Sequence, residues 1–328
     1  MTSQLNWRPL SHLDIPALVE LLAAAEREDA TREHYDETDL AEEFDDESLD
    51  LGRDTVAVFD GPDLLGMGLV RVRGMVDGNC VVEMWGTVHP DRRGEGIGRG
   101  ILAVQLHRAG VIHAERYPEA TARLVVRPYD HCRSHVELVL AAGLAPLRHW
   151  FDMQRDLTLP LPPVPPVNPG IEIVPYDDVR DEEVRLAYND TFAGSFGAVD
   201  QDAEGWSQWF TGSRAFRPEL SALALRQGRV VGFLLSYFYE ADAVQDGVEE
   251  CWIGQVGTLA AYRRQGIGMH LLARALHAYR AAGFNRAALD VDSESATGGL
   301  AIYSRLGFTV DRKRTSFARV LPPVTGGD

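Results

Sequence analysis

At 328 residues with a formal charge of −17, the chain is long enough for two ordinary domains with full cores. Its acid excess argues against nucleic acid and acidic membranes as partners, since both reward basic surfaces, and it suits a small, cationic amine substrate. Cys80, Cys132 and Cys251 are scattered without metal-ligand spacing or a disulfide framework, so no metal is expected and the thiols read as reduced. Reduced thiols suit a cytoplasmic protein; the first residues lack a basic region followed by an apolar run, so no signal peptide is expected, and the most apolar stretch, 230–239, is too short to span a bilayer and reads as a buried strand.

Taken in order, the first half begins with a short apolar strand ending at Trp7-Arg8-Pro9-Leu10. Ile15, Leu18, Val19 and Leu22 then share one helical face. An acidic run, 26–50, carries only Arg27 and Arg32 as cations and reads either as a solvated face or loop, or as a wall attracting amines. Strands 55–59 and 65–72 flank a hairpin turn at Asp60-Gly61-Pro62-Asp63. A further strand, 81–88, leads into Arg93-Gly94-Glu95-Gly96-Ile97-Gly98. The helix opening there buries Ile97, Ile101, Leu102 and Leu106. Strand 122–126 follows, then a helix stopped at Gly143.

Residues 159–170 hold six prolines and predict an extended spacer between domains spanning 1–158 and 171–328. The second half repeats the first. Ile173-Val174-Pro175-Tyr176 ends a strand; Val184, Leu186, Ala187 and Tyr188 follow in helical spacing. Strands 222–226 and 230–239 flank Gln227-Gly228-Arg229. Strand 251–259 runs into Arg263-Arg264-Gln265-Gly266-Ile267-Gly268 and a helix with Leu271, Leu272, Ala275 and Leu276 inward. Strand 287–291, a helix stopped at Gly307 and a last strand near 315–320 complete the half.

Strand, glycine-rich turn and helix together make a phosphate cradle. The first helical N–H groups lack intrahelical partners, the helix dipole adds positive potential, and glycine lets an anion approach the backbone. An arginine at the head of each stretch can add a charged contact. The spacing Arg-x-x-Gly-x-Gly, found twice in this context, resembles the acyl-coenzyme A loop of the GNAT N-acetyltransferases, and the element order resembles that fold over nearly the whole chain. The resemblance implies an α/β fold of two tandem GNAT-like domains, each a mixed, mostly antiparallel sheet flanked by helices. It implies acetyl-coenzyme A as cofactor and a small-molecule amine as acceptor. Two-domain chains of this kind look like the mycothiol synthase-like acetyltransferases, which act on the cysteinyl amine of a sugar–inositol thiol; antibiotic-modifying acetyltransferases are also similar.

On that resemblance, the motif strand splays from its neighbour and offers backbone groups near Val256 and Thr258, and near Gly86 and Val88, to the pantetheine and thioester carbonyl. Tyr303, on the helix before Gly307-Phe308, matches the tyrosine that protonates the leaving thiolate. Val139 stands there in the first half, which therefore reads as catalytically degenerate. Ser295 matches a cofactor-contacting asparagine. Trp252 stands where many members carry a glutamate base. Glu250, two residues earlier and so on the same side of the strand, is the expected base, with Asp290 and Asp292 as further groups to hold an ammonium. His270 and His277 read as surface or packing residues. A catalytically silent acyl-coenzyme A sensor is the reading from another class.

Overall fold

In the computed structural model, which describes residues 5–76, 78–295 and 298–324, the chain divides into two units, 1–149 with 313–328 and 150–312. The first unit opens with β1 (Asn6–Arg8), α1 (Ile15–Asp29), α2 (Glu37–Phe44) and α3 (Leu51–Asp54). Then come β2 (Thr55–Asp60), β3 (Asp63–Val76), β4 (Asn79–Val88), α4 (Ile97–Arg116), β5 (Thr121–Val126) and α5 (Arg133–Ala141). A capping box between Ser11 and Asp14 precedes α1, and Ala30 at φ 50° ends it. Leu18 and Leu21 are fully buried against Leu40, Met67 and Leu69, each contributing about 1.5–3 kcal/mol of burial. Ile97, Ile101, Leu102, Ala109 and Ile112 make the buried stripe of α4.

The second unit starts within β6 (Ala145–Asp156). It continues through β7 (Ile171–Pro175), α6 (Asp181–Phe192), α7 (Ala203–Trp206), β8 (Ala222–Arg226), β9 (Arg229–Tyr237) and α8 (Glu240–Asp246). It then builds β10 (Glu250–Thr258), α9 (Ile267–Ala281), β11 (Arg286–Asp292) and α10 (Gly299–Arg305) before the chain enters β12 (Thr309–Leu321). Gln227 and Gly228, at φ 52° and 75°, make the two-residue turn between β8 and β9, the handedness that suits twisted strands. Leu271, Leu272, Leu276 and Tyr279 on α9 face the core with Ile253 and Leu289.

Each sheet is mixed and mostly antiparallel. The strand order is β1-β2-β3-β4-β5-β12 in the first unit and β6-β11-β10-β9-β8-β7 in the second. Among these pairs β4 with β5 and β10 with β11 run parallel.

The closing strands depart from the sequence boundaries at 158 and 171. Strand β12, expected to close the second half, pairs with β5 from Phe317↔Val126 to Leu321↔Ala122 and completes the first unit. Residues 150–156 of β6 pair instead with β11, from Trp150↔Asp292 to Asp156↔Arg286. A strand's alternation specifies which face it buries but not which neighbour it joins.

Candidate active site

In both sheets the parallel pair separates part-way. Pairing of β4 with β5 ends at Glu83↔Val125, and that of β10 with β11 at Trp252↔Ala288. Beyond those points Met84 to Val88, and Ile253 to Thr258, have no strand partner on the splayed side among the described residues. In β10 a bulge between Ile253 and Gln255 re-aims the strand at Gly254, where a Cβ would strike the Tyr237 ring. Val256, Thr258 and Val88 therefore lie where the sequence places them, on the splayed stretch.

The two glycine loops adopt one conformation. Gly94 and Gly96 stand at φ 83° and 88°, Arg264 and Gly266 at 60° and 84°. Gly96 and Gly266 are the N-caps of α4 and α9. The first helical bonds are donated by Gly100 and His270, to Gly96 and Gly266. The N–H groups of Gly94, Glu95, Gly96, Ile97 and Gly98, and of Arg264, Gln265, Gly266, Ile267 and Gly268, meet no acceptor among the described residues. Consecutive outward amides at a helix start suit a pyrophosphate. Nothing lies within 4 Å of where a Cβ would project from Gly94 or Gly96, so the first loop has room for one.

The head arginines do not take the expected place at the phosphate. Arg93 donates Nε to the Val88 carbonyl at 3.1 Å and both terminal nitrogens to Asp29 at 2.7 Å. Arg263 repeats the pattern, with Nε to the Thr258 carbonyl at 3.1 Å and Nη2 to the Thr191 carbonyl at 3.0 Å. Each arginine ties the strand end to the C-terminal end of α1 or α6. Glu95, between two glycines, is neutralised by Arg92 at 3.0 Å. The exposed cations left at the cradles are Arg264 and, in the first unit, Arg99. Arg99 escaped the sequence reading because it lies beyond the motif, in the first turn of α4.

In the first unit a cleft of about 660 Å³ runs from Gly94, Gly96 and Arg99 along Met84 to Val88, bounded across the splay by Val126 and α5. A second cleft of about 330 Å³ meets it at Met84 to Thr87, Asp29, Val126 and His135. Both volumes are typical of small-molecule sites. The acidic run lies in this region, but as ordered structure. Glu26 is buried and accepts from Thr31 and Arg32, Asp36 caps α2, and Glu43 and Asp46 pair with Arg71 at 3.1 and 3.3 Å. His135 was not foreseen either; only the fold brings α5 to the splay.

In the second unit, Tyr303 lies on α10 with its ring edge-on to Phe308 at 6.0 Å. Its hydroxyl has no hydrogen-bond partner among the described residues. Burial, with the Asp290 charge adding, pushes its pKa up to about 12. Its counterpart Val139 is buried in the first unit's core. Glu250 is placed otherwise than a base requires. It sits at the closed end of β10, opposite Arg286, and its carboxylate is bound in an ion pair with that guanidinium, both side chains largely buried. Ser295 closes a turn onto the Asp292 carbonyl at 3.1 Å; Ala296 and Thr297, next in that loop, lie outside the described residues.

The proline spacer lies along α9. His270 and His277 bond the carbonyls of Pro165 and Pro162 at 2.7 and 2.9 Å, and Asn168 bonds Gln265 at 3.0 Å. The two histidines thus hold the spacer against the helix that follows the second loop.

Comparison with known proteins agrees with this geometry. The Acetyltransferase (GNAT) family matches residues 182–308. A protein of Thermomonospora curvata named mycothiol acetyltransferase is 31% identical over 68% of both chains. One of the same name from Thermobispora bispora is 29% identical over 90% of this chain and 92% of its own. A GCN5-related N-acetyltransferase structure from Sphaerobacter thermophilus, 25% identical, overlays 97% of this chain and 96% of its own with a TM-score of 0.74. No helix among the described residues is long and apolar enough to cross a membrane. Two splayed sheets, each fed by a glycine loop, and these relatives together identify the chain as a tandem-domain N-acetyltransferase belonging to the GNAT family.

Proposed function

We propose that the chain transfers an acetyl group from acetyl-coenzyme A to the primary amine of a small molecule, and that the second unit does so through Tyr303. The observation that carries this reading is the Tyr303 hydroxyl on α10, kept protonated by burial and by the Asp290 charge and without a hydrogen-bond partner among the described residues. Acetyl-coenzyme A supplies an activated thioester. The amides of Arg264 to Gly268 bind its phosphates, with Arg264 adding charge. Amides near Val256 and Thr258 orient the pantetheine and stabilise negative charge on the carbonyl oxygen. Tyr303 donates its proton to the sulfur. Glu250, clamped by Arg286, holds the closed end of the strands. Asp290, whose charge reaches Tyr303, is the group that holds the incoming ammonium. The first loop, with its matching amides and open glycines, binds a second coenzyme A.

The acceptor that the relatives' name supports is the mycothiol precursor, a thiol bearing a cysteinyl amine. The test is consumption of acetyl-coenzyme A by the purified chain with that amine, with aminoglycosides and with no amine. Turnover with the cysteinyl amine alone supports the specific reading. Turnover confined to aminoglycosides moves the acceptor to that class, and coenzyme A binding without turnover of any amine favours the silent sensor.

A further inference from the structure

His135 and Gly299 occupy matching positions, the same distance before the glycines that end their helices, Gly143 and Gly307. In the second unit, a Cβ at Gly299 would stand 3.3 Å from Cε2 of Tyr303 and 3.6 Å from its hydroxyl oxygen. Side chains one helical turn apart share a face. The imidazole of the first unit therefore starts close to where the phenol of the second unit ends. Val139 fills the tyrosine's own position but is sealed in the core, so the polar group on this face has moved one turn toward the start of the helix. It has moved to a functional place: His135 lines both clefts where they meet, beside Met84, Gly86 and Thr87.

We propose that the first unit is a second acyl-transfer site, in which His135 performs the proton chemistry and the 330 Å³ cleft admits a small zwitterionic primary amine. This rests on the reading of acetyl-coenzyme A as the acyl donor. The cleft presents both signs of charge, Glu33 and Glu83 with Arg73, Arg127 and Arg314. A ligand carrying both an ammonium and an acid group, of amino-acid size, can exchange partners with the ion pairs already there, such as Arg127 with Glu83 at 2.6 Å.

The ammonium first loses one proton to water. The amine nitrogen then attacks the thioester carbonyl carbon; the C–N bond forms and the C–S bond breaks. His135 takes the second proton shed by nitrogen and returns it to sulfur, so an amide and a thiol leave and the imidazole ends neutral. Burial keeps that imidazole below the usual histidine range. Arg93 lowers it further, and Asp29, from the end of α1, pulls the other way. The Cys132 thiol at the start of the same helix, pushed up to about 11, stays protonated and does not compete as a nucleophile.

The experiment compares the full-length wild type, Tyr303→Phe, His135→Gln and the double variant with amino-acid amines across the neutral pH range. Turnover persisting in Tyr303→Phe should rise with pH around a midpoint below the ordinary histidine value. It should fall roughly 10²-fold in the double variant, where that pH dependence disappears. Independently of turnover, the His135 imidazole C–H signal in wild-type NMR spectra, assigned by its loss in His135→Asn, should shift as coenzyme A is titrated in. A signal unmoved at saturating coenzyme A overturns the proposal. So does loss of all turnover in Tyr303→Phe, which leaves the second-unit reading standing. A double variant as active as the wild type overturns both.

Discussion

Arg93 and Asp29, 64 residues apart, meet in a two-pronged ion pair with both N···O distances at 2.7 Å. The arginine that heads the phosphate motif is thereby a brace on the loop's entry, joining the end of β4 to the end of α1. Asp29→Asn keeps the shape and removes the charge. It should cost about 1–3 kcal/mol, a fall of several degrees in the melting temperature of the first unit, and weaken coenzyme A at the first loop. Calorimetry showing unaltered affinity and melting would remove the bracing role.

Tyr303→Phe removes the donor and keeps the ring. If the hydroxyl protonates the thiolate, kcat at the second site should fall roughly 10²-fold with little change in coenzyme A affinity. The pH behaviour follows from the raised pKa of about 12. The donor form persists through the neutral range, so the alkaline limb of kcat should lie above the ordinary tyrosine value of ~10. Folding favours the protonated phenol. Its stabilisation is therefore complete below the unfolded value and is lost as pH rises through the folded one. The stability of wild type relative to Tyr303→Phe should fall over that alkaline window; a constant difference would refute the shift.

Gly96 and Gly266 carry the same left-handed backbone at their helix starts, φ 88° and 84°. Valine at either position meets backbone strain of about 1–2 kcal/mol and puts a branched group where a phosphate approaches. Titration calorimetry should count two coenzyme A per wild-type chain and one for either single variant. Turnover of the Tyr303-dependent acceptor should be lost in Gly266→Val and largely kept in Gly96→Val. The reverse pattern would exchange the roles of the units.

Arg71 holds Glu43 and the buried Asp46 together. Arg71→Ala leaves Asp46 without its cation, at about 3–5 kcal/mol, a drop on the order of 10 °C in melting temperature. Because these carboxylates are engaged internally, the affinity of the Tyr303-dependent acceptor should change little from low salt to high. A steep loss with salt would restore the acidic run as an amine-attracting wall.

The order of strands and helices was legible because periodicity and turn chemistry are local. So were the backbone of both loops, whose glycines take the positive φ that the motif requires, and the place of Tyr303 on the helix before Gly307. What escaped depends on distant partners. Nothing near Arg93 announces Asp29, nothing near Glu250 announces Arg286, and His135 gains its place only when α5 crosses the splay. His270 and His277 read as surface or packing residues, but which segment they pack stayed hidden, because their partners are carbonyls of the proline spacer, which carry no sequence signature.

The pairing of β12 with β5 sets the order in which this protein can become finished. The first unit is synthesised first, yet its sheet stays one strand short until Phe317 to Leu321 leave the ribosome and find Val126 to Ala122. Contacts so distant along the chain form slowly, and β5 keeps an unpaired, aggregation-prone edge in the meantime. A nascent chain halted anywhere before β12 therefore carries an open first sheet, however complete the residues already made.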